Sequence, residues 1–199
     1  MMFFDSLEKI KDEVLNCKRC PLYKTRKNPV VGEGSVQAKI MFVGEAPGKN
    51  EDEKGVPFCG KAGKVLDELL NMIGIERREI YITNILKCRP PNNRNPEEEE
   101  IISCTPFLDR QIRLIEPEVI CCLGNFSTRY IMRKFGFENV SGISRLHGKV
   151  FHFKKIKIIP LYHPAVATYN PGMGKILEED FKKIKKVLED EVKDSYIKW

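Results

Sequence analysis

Residues 39–48 read KIMFVGEAPG, a short unbroken apolar run that stops at a turn rich in glycine and proline. An apolar run of roughly four to eight residues bounded by turn signals reads as a strand buried on both faces, the kind found in parallel sheets. With 39–44 as the first, three more runs have the same form: 80–85 (IYITNI), 118–123 (EVICCL) and 156–161 (IKIIPL). Between them lie stretches with apolar residues at helical spacing, at 62–73, at 96–115 behind an Asn-Pro start signal, and at 125–135. This alternation predicts an α/β fold, a three-layer αβα arrangement around a central four-stranded, mainly parallel sheet. One more helix is expected ahead of the first strand, over 4–15. Another is expected over 175–192, where Ile176, Leu177, Phe181, Ile184, Val187 and Leu188 recur at helical spacing. Residues 150–153 are expected to form a hairpin edge beside the last strand. The lysine-rich run 182–186 reads as a solvated helix face, with Glu178 and Glu179 four residues upstream of Lys182 and Lys183.

Open α/β sheets bind ligands outside the carboxyl ends of their strands, so the strand ends define a candidate site. The first run ends at Gly44, Glu45, Ala46, Pro47 and Gly48, the second at Asn84, the third at Gly124 and Asn125, and the fourth at His163, Pro164 and Ala165. A carboxylate, a carboxamide and an imidazole are thereby expected on one edge.

The chain has 199 residues, 42% of them hydrophobic, which is material for one ordinary core, and a single domain over 1–199 is expected. Asp5 and Glu8 break the N-terminus where a secretory signal would stay apolar, and no segment approaches the roughly 20 apolar residues of a membrane span. A cytoplasmic protein without a membrane partner is expected. The net charge of +6 suits a polyanionic partner without establishing one.

Seven cysteines in a reducing compartment point to metal ligation or plain burial in place of disulfides. Cys17 and Cys20 form a C-x-x-C pair followed by Pro21, and Cys88 and Cys104 stand apart in mid-chain. Four thiolates suit tetrahedral zinc or a cubane iron-sulfur cluster, and spacing leaves both open. A thioredoxin-type redox pair is disfavoured, because this C-x-x-C precedes the first strand. Cys121 and Cys122, inside an apolar run, read as small buried thiols.

The motifs CKRCPLY (17–23), PVVGEGS (29–35), FVGEAPG (42–48), GVPFCGKAG (55–63), YITNILKCRPPNNRNP (81–96) and HPA (163–165) together resemble the iron-sulfur uracil-DNA glycosylases of family four. The resemblance spans nearly the whole chain. It implies a uracil-DNA glycosylase fold and a 4Fe-4S cluster on Cys17, Cys20, Cys88 and Cys104. It also implies a monomer that hydrolyses the N-glycosidic bond of deoxyuridine in single- or double-stranded DNA, leaving an abasic site. That reaction gathers negative charge on the departing base and positive charge on the sugar, so donors are needed at the base and an anionic or water-orienting group near the sugar. Asn84 can meet uracil N3-H and O4 together, a pairing that cytosine reverses. His163 can donate to O2, and Glu45 can steady the sugar cation or orient water. Backbone groups of Gly44 and Ala46 lie close to where the base would sit, Phe58 is the expected stacking platform for a flipped base, and Glu51 is a candidate for crowding the thymine methyl.

Lys61, Lys64, Lys87, Arg89 and Arg94 are candidates for holding DNA phosphates. Many relatives carry leucine then arginine where Thr168 and Tyr169 stand here, which leaves Val166 and Tyr169 as candidates for the wedge that fills the vacated stack. His147 and His152 read as packing or surface residues. Two rival classes remain: a metal-containing binding module that docks on nucleic acid without chemistry, and a redox protein, which has no use for Asn84 or His163.

Overall fold

The computed structural model describes residues 5–196, with side chains through Glu189. In chain order the elements are α1 (Leu7–Leu15), a 3-10 turn (Pro21–Lys24), β1 (Glu33–Gly34), β2 (Ile40–Gly44), α2 (Lys49–Lys54), α3 (Lys61–Ile73), a second 3-10 turn (Arg77–Glu79) and β3 (Ile80–Asn84). A third 3-10 turn (Pro91–Asn93) leads to α4 (Glu98–Ile115), β4 (Val119–Leu123), α5 (Asn125–Lys134), α6 (Ile143–Leu146), β5 (Phe151–Phe153), β6 (Ile156–Leu161), α7 (Val166–Tyr169) and α8 (Met173–Tyr196). The four expected strands are β2, β3, β4 and β6. Residue 4, where the first helix was expected to begin, lies outside the described residues.

The sheet has six strands in the order β1-β3-β2-β4-β6-β5, so the expectation of four is corrected. The inner four are parallel and each edge strand is antiparallel. Strand β5 is the expected hairpin edge. Strand β1 was not foreseen, because two residues cannot show an alternating pattern. Its Gly34 lies at φ +127, so close on β3 that a Cβ would fall 1.9 Å from the Ile80 carbonyl oxygen.

Alternate side chains point to opposite faces of a strand, and here each face buries its own core. Met41, Val43, Ile120, Cys122 and Ile158 pack with Ile10 and Val14 of α1, Phe107 and Leu108 of α4, and Ile131 and Met132 of α5. Ile40, Phe42, Val119, Cys121, Leu123 and Ile159 pack with Leu66, Leu69 and Leu70 of α3 and with Leu177, Phe181 and Ile184 of α8. The result is the αβα sandwich expected from the alternation. Cys121 and Cys122 are fully buried.

Two local devices place the later features. Helix α4 opens on a capping box in which Glu97 and Glu100 each accept from the other's end of the first turn, with Glu98 and Glu99 adding negative charge at the helix N-terminus. Along α4, Arg110 pairs with Asp5 and Glu13, fastening α1 against it. Hydrogen bonding to Arg110 holds both carboxyls below their ordinary pKa. The segment after α1, which carries Cys17 and Cys20, is thereby delivered to the flank of α4. The order in which strands are added reverses between β2 and β4, where a ligand crevice is expected in an open α/β fold.

Candidate active site and cysteine-lined cavity

Gly44 and Asn84 are register partners at the carboxyl ends of β2 and β3. The pairing runs on past the strands, with Ile85 N-H donating to the Gly44 carbonyl and Leu86 N-H to that of Glu45, both at 3.0 Å. This ladder stiffens the turn that carries Glu45. A Cβ on Gly44 would stand 2.2 Å from Asn84 Oδ1 and 2.8 Å from Phe58 Cζ, so the missing side chain lets a carboxamide and an aromatic ring converge there. Asn84 is only 2% exposed, yet its Oδ1 has no hydrogen-bond partner. Buried acceptors are nearly always satisfied, because an unpaired one loses its water without recompense. An orphan acceptor at a sheet's ligand edge points to a donor supplied by a ligand.

His163 follows β6 and lies beside this group. Its ring stacks on that of Phe58 at 5.5 Å between centroids and 25° between planes. Ala165 N-H donates to His163 Nδ1 at 3.2 Å. Burial pushes the imidazole pKa down to about 4, so the ring is neutral at neutral pH. With Nδ1 accepting, the proton resides on Nε2 and the free edge of the ring is a donor. Which protonation form acts was open from sequence; the backbone contact selects the neutral Nε2-H tautomer. Burial also raises the Glu45 carboxyl above its ordinary value. These two groups thus respond in opposite senses to the same dry environment.

Phe58 is 5% exposed and held at φ +49, a left-handed conformation uncommon for a bulky side chain. Glu51, on α2, accepts from the amides of Cys59 and Gly60 at 3.1 and 2.9 Å through Oε1. Glu51 therefore anchors the Phe58 loop at the N-terminus of α3, where a carboxylate is favoured.

Behind β3, on the face covered by α1 and α4, Cys17, Cys20, Cys88 and Cys104 line one cavity together with Val14, Tyr23, Arg26, Lys87 and Phe107. Arg26 Nη1 donates to Cys88 Sγ at 3.1 Å, and Lys87 N-H donates to Cys104 Sγ at 3.2 Å. Such donors favour thiolates, but burial dominates: it raises the pKa of Cys20 and Cys88 above the ordinary thiol value and pushes that of Cys104 up to about 12. Among the described residues, no group of three or more His, Cys, Asp or Glu side chains is arranged to hold a single metal ion. The four thiols surround a volume.

The family model of the uracil DNA glycosylase superfamily matches residues 31–190. A type-4 uracil-DNA glycosylase of Sulfurisphaera tokodaii is 55% identical over 92% of this chain and 85% of its own length. One from Archaeoglobus fulgidus is 50% identical over 90% of this chain and 92% of its own, and one from Thermotoga maritima 41% identical over 93% and 96%. The chain belongs to the type-4 uracil-DNA glycosylases.

Other expected site residues fare unevenly. Lys61 and Lys64 are exposed at the start of α3, and Tyr169 is 75% exposed on α7, near Val166. Arg89 is half-buried and its Nε donates to Asn93 Oδ1. Arg94 closes onto Glu100 with contacts of 2.6 and 3.0 Å and onto Glu97 at 3.2 Å, so its charge is spent on the α4 cap. Lys87 requires a correction. It is 1% exposed and cannot reach a phosphate; its Nζ donates to Thr83 Oγ1, to the Asn84 carbonyl and to Gln111 Oε1. A lysine beside a motif cysteine looks like a surface cation in sequence. Here the chain turns it inward, where burial lowers its pKa to about 7. Lys87 thus ties the segment holding Cys88 to the backbone of Asn84.

Sequence reasoning missed Arg26, Gln111 and Arg77. Gln111 offered no signal in sequence because its partners, Tyr81 Oη and the Val31 carbonyl, are brought to it by the fold. His147, expected as a packing or surface residue, pairs with the buried Asp180 at 2.7 Å and leans on Tyr162.

Proposed function

We propose that this chain removes uracil from DNA by hydrolysing the N-glycosidic bond of deoxyuridine, and leaves an abasic site. The observation that carries this reading is the buried, unpartnered Oδ1 of Asn84, set beside Phe58 and His163 at the ends of β2, β3 and β6. A uracil turned out of the helix stacks on Phe58. It offers N3-H to that oxygen and takes the Asn84 amide at O4, whereas cytosine presents the reversed pattern. The Nε2-H of neutral His163 donates to O2 as negative charge gathers on the departing base. Glu45, ionised, stabilises the positive sugar or orients water for attack on it. DNA phosphates meet Lys61 and Lys64, Arg89 contributes from the loop after β3, and Tyr169 or Val166 fills the vacated stack.

The cysteine-lined cavity fits a 4Fe-4S cluster held by Cys17, Cys20, Cys88 and Cys104, because it combines four thiols and apolar walls with N-H donors aimed at two of the sulfurs. Such a cluster would cross-link the segment after α1, the loop after β3 and α4, and no step of base excision passes through it. The proposed enzyme acts as a monomer.

The test is incubation with an oligonucleotide holding one uracil, followed by alkali to cut abasic sites. Scission by the wild type, lost with Glu45→Ala, Asn84→Ala and His163→Ala, supports the reading; an uncut strand with bound protein would reduce it to a binding module. Visible absorbance of the purified protein, lost in Cys104→Ser, supports the cluster.

A further inference from the structure

The Phe58 platform is held in place from outside the pocket. Arg77 lies in the 3-10 turn between α3 and β3, and its guanidinium makes four hydrogen bonds. Two go to carboxylates, from Nε to Glu33 Oε1 of β1 at 3.0 Å and from Nη1 to Asp67 Oδ1 of α3 at 2.9 Å. The other two go to consecutive carbonyls of the platform loop, from Nη1 to that of Phe58 at 3.2 Å and from Nη2 to that of Pro57. The carboxylates fix the guanidinium plane, and the planar fork then dictates where the two carbonyls lie.

Those carbonyls belong to a strained piece of chain. Phe58 stands at φ +49. Its carbonyl also sits where a Cβ on Gly63 would fall 1.7 Å away, so α3 itself leaves a notch for it. A residue in a sparsely populated conformation persists only when its surroundings over-determine it. Arg77 takes the carbonyls at 57 and 58, and Glu51 takes the amides at 59 and 60. Between these two ionic grips the Phe58 ring has one place to go, against Gly44 and His163.

We propose that Arg77 is a positioning residue for base recognition, acting through Phe58 to hold the aromatic platform at the height a flipped uracil requires. The proposal rests on the reading of Phe58 as that platform. A lysine cannot substitute fully, because a single ammonium lacks the fork that serves two carboxylates and two carbonyls at once.

The experiment compares full-length wild type, Phe58→Leu, Arg77→Met, Arg77→Lys and the double variant Phe58→Leu/Arg77→Met. Each is assayed for excision from a uracil oligonucleotide and for inhibition by free uracil, well below its melting temperature. Phe58→Leu should weaken uracil inhibition by roughly tenfold, the scale of one lost base-aromatic stack. Arg77→Met should weaken it by a similar factor, with Arg77→Lys in between, and in the Phe58→Leu background Arg77→Met should change it less than about twofold. An equal loss from Arg77→Met in both backgrounds, or lowered melting with unchanged uracil inhibition, would overturn the proposal while leaving the platform intact. Unchanged inhibition in Phe58→Leu would overturn the platform itself and the proposal with it. Should Arg77→Met fail to fold, Arg77→Lys decides by the same comparison in the two backgrounds.

Discussion

At the strand-end pocket the backbone ladder continues beyond β2 and β3, the loop that carries Phe58 is gripped by ionic side chains on both sides, and a buried acceptor, Asn84 Oδ1, is left open. At the cysteine cavity, a few residues away along the chain, the walls come from α1 and the segment after it, the loop after β3 and α4, and burial raises the thiols of Cys20, Cys88 and Cys104 above their ordinary pKa. One region is finished by the fold and waits for a substrate. The other is assembled from distant segments and is completed by whatever the sulfurs bind. Substitutions in the pocket should therefore cost activity with little change in stability, and substitutions around the cavity should do the reverse. Lys87, which touches both regions, should show a mixture.

The largest effect expected is at Asn84. Asn84→Ala should lower uracil excision by roughly 100-fold to 1000-fold, the range seen when a preorganised polar group at a reacting centre is deleted. Its melting temperature should match or exceed that of wild type, because the oxygen removed has no protein partner. A large loss of stability in this variant would break the contrast between the two regions.

Lys87→Met should lower unfolding free energy by about 2 kcal/mol, measured by denaturant titration, since it removes the buried amine that donates to the Asn84 carbonyl, Thr83 Oγ1 and Gln111 Oε1. Its excision rate should fall less than that of Asn84→Ala.

The pH dependence separates Glu45 from His163. The Glu45 carboxyl is raised by burial, so excision should fall as pH drops through a point above the ordinary glutamate value, and Glu45→Gln should abolish that acid limb along with most of the rate. His163 is already neutral down to about pH 4 and contributes no limb above it. In stability the sign is set by the same depression. The unfolded chain protonates His163 near 6.5 and the folded chain near 4, so its contribution is whole above about 6.5 and is lost as pH falls through that window. A rate profile with its midpoint near 6.5 that disappears in His163→Gln would contradict the neutral-donor assignment.

The smallest effect belongs to Tyr169. Tyr169→Ala should slow excision from duplex DNA by about fivefold, within the range for one stacking contact, and leave single-stranded substrate nearly untouched.

The sheet and its two helical layers were readable from 39–48 outward, because buried parallel strands are continuous apolar runs and their crossover helices keep strict periodicity. The edge strand Glu33–Gly34 was not, since its pairing is fixed by a close glycine contact with β3 that carries no pattern. The convergence of Asn84 and His163 was legible from the rule that ligands gather at strand ends, and the Cys17–Cys20 pair from its chelate spacing, with Cys88 and Cys104 joined to it through the resemblance. Lys87 misled because charge is visible in sequence and burial is not, and the pairing of Arg94 with Glu97 and Glu100 forms only once α4 is capped. Arg77 and Gln111 were silent because their partners lie in other elements and meet them only after folding. The tautomer of His163 was settled by a backbone contact two residues away.

Base reading by Asn84 is most directly tested by calorimetric titration of the free bases uracil and cytosine into wild type and Asn84→Ala. Uracil should bind the wild type, the alanine variant should bind it at least roughly tenfold more weakly, and cytosine should bind neither measurably. Equal affinity for uracil in the two proteins, or cytosine binding the wild type as well as uracil does, would contradict base reading by Asn84.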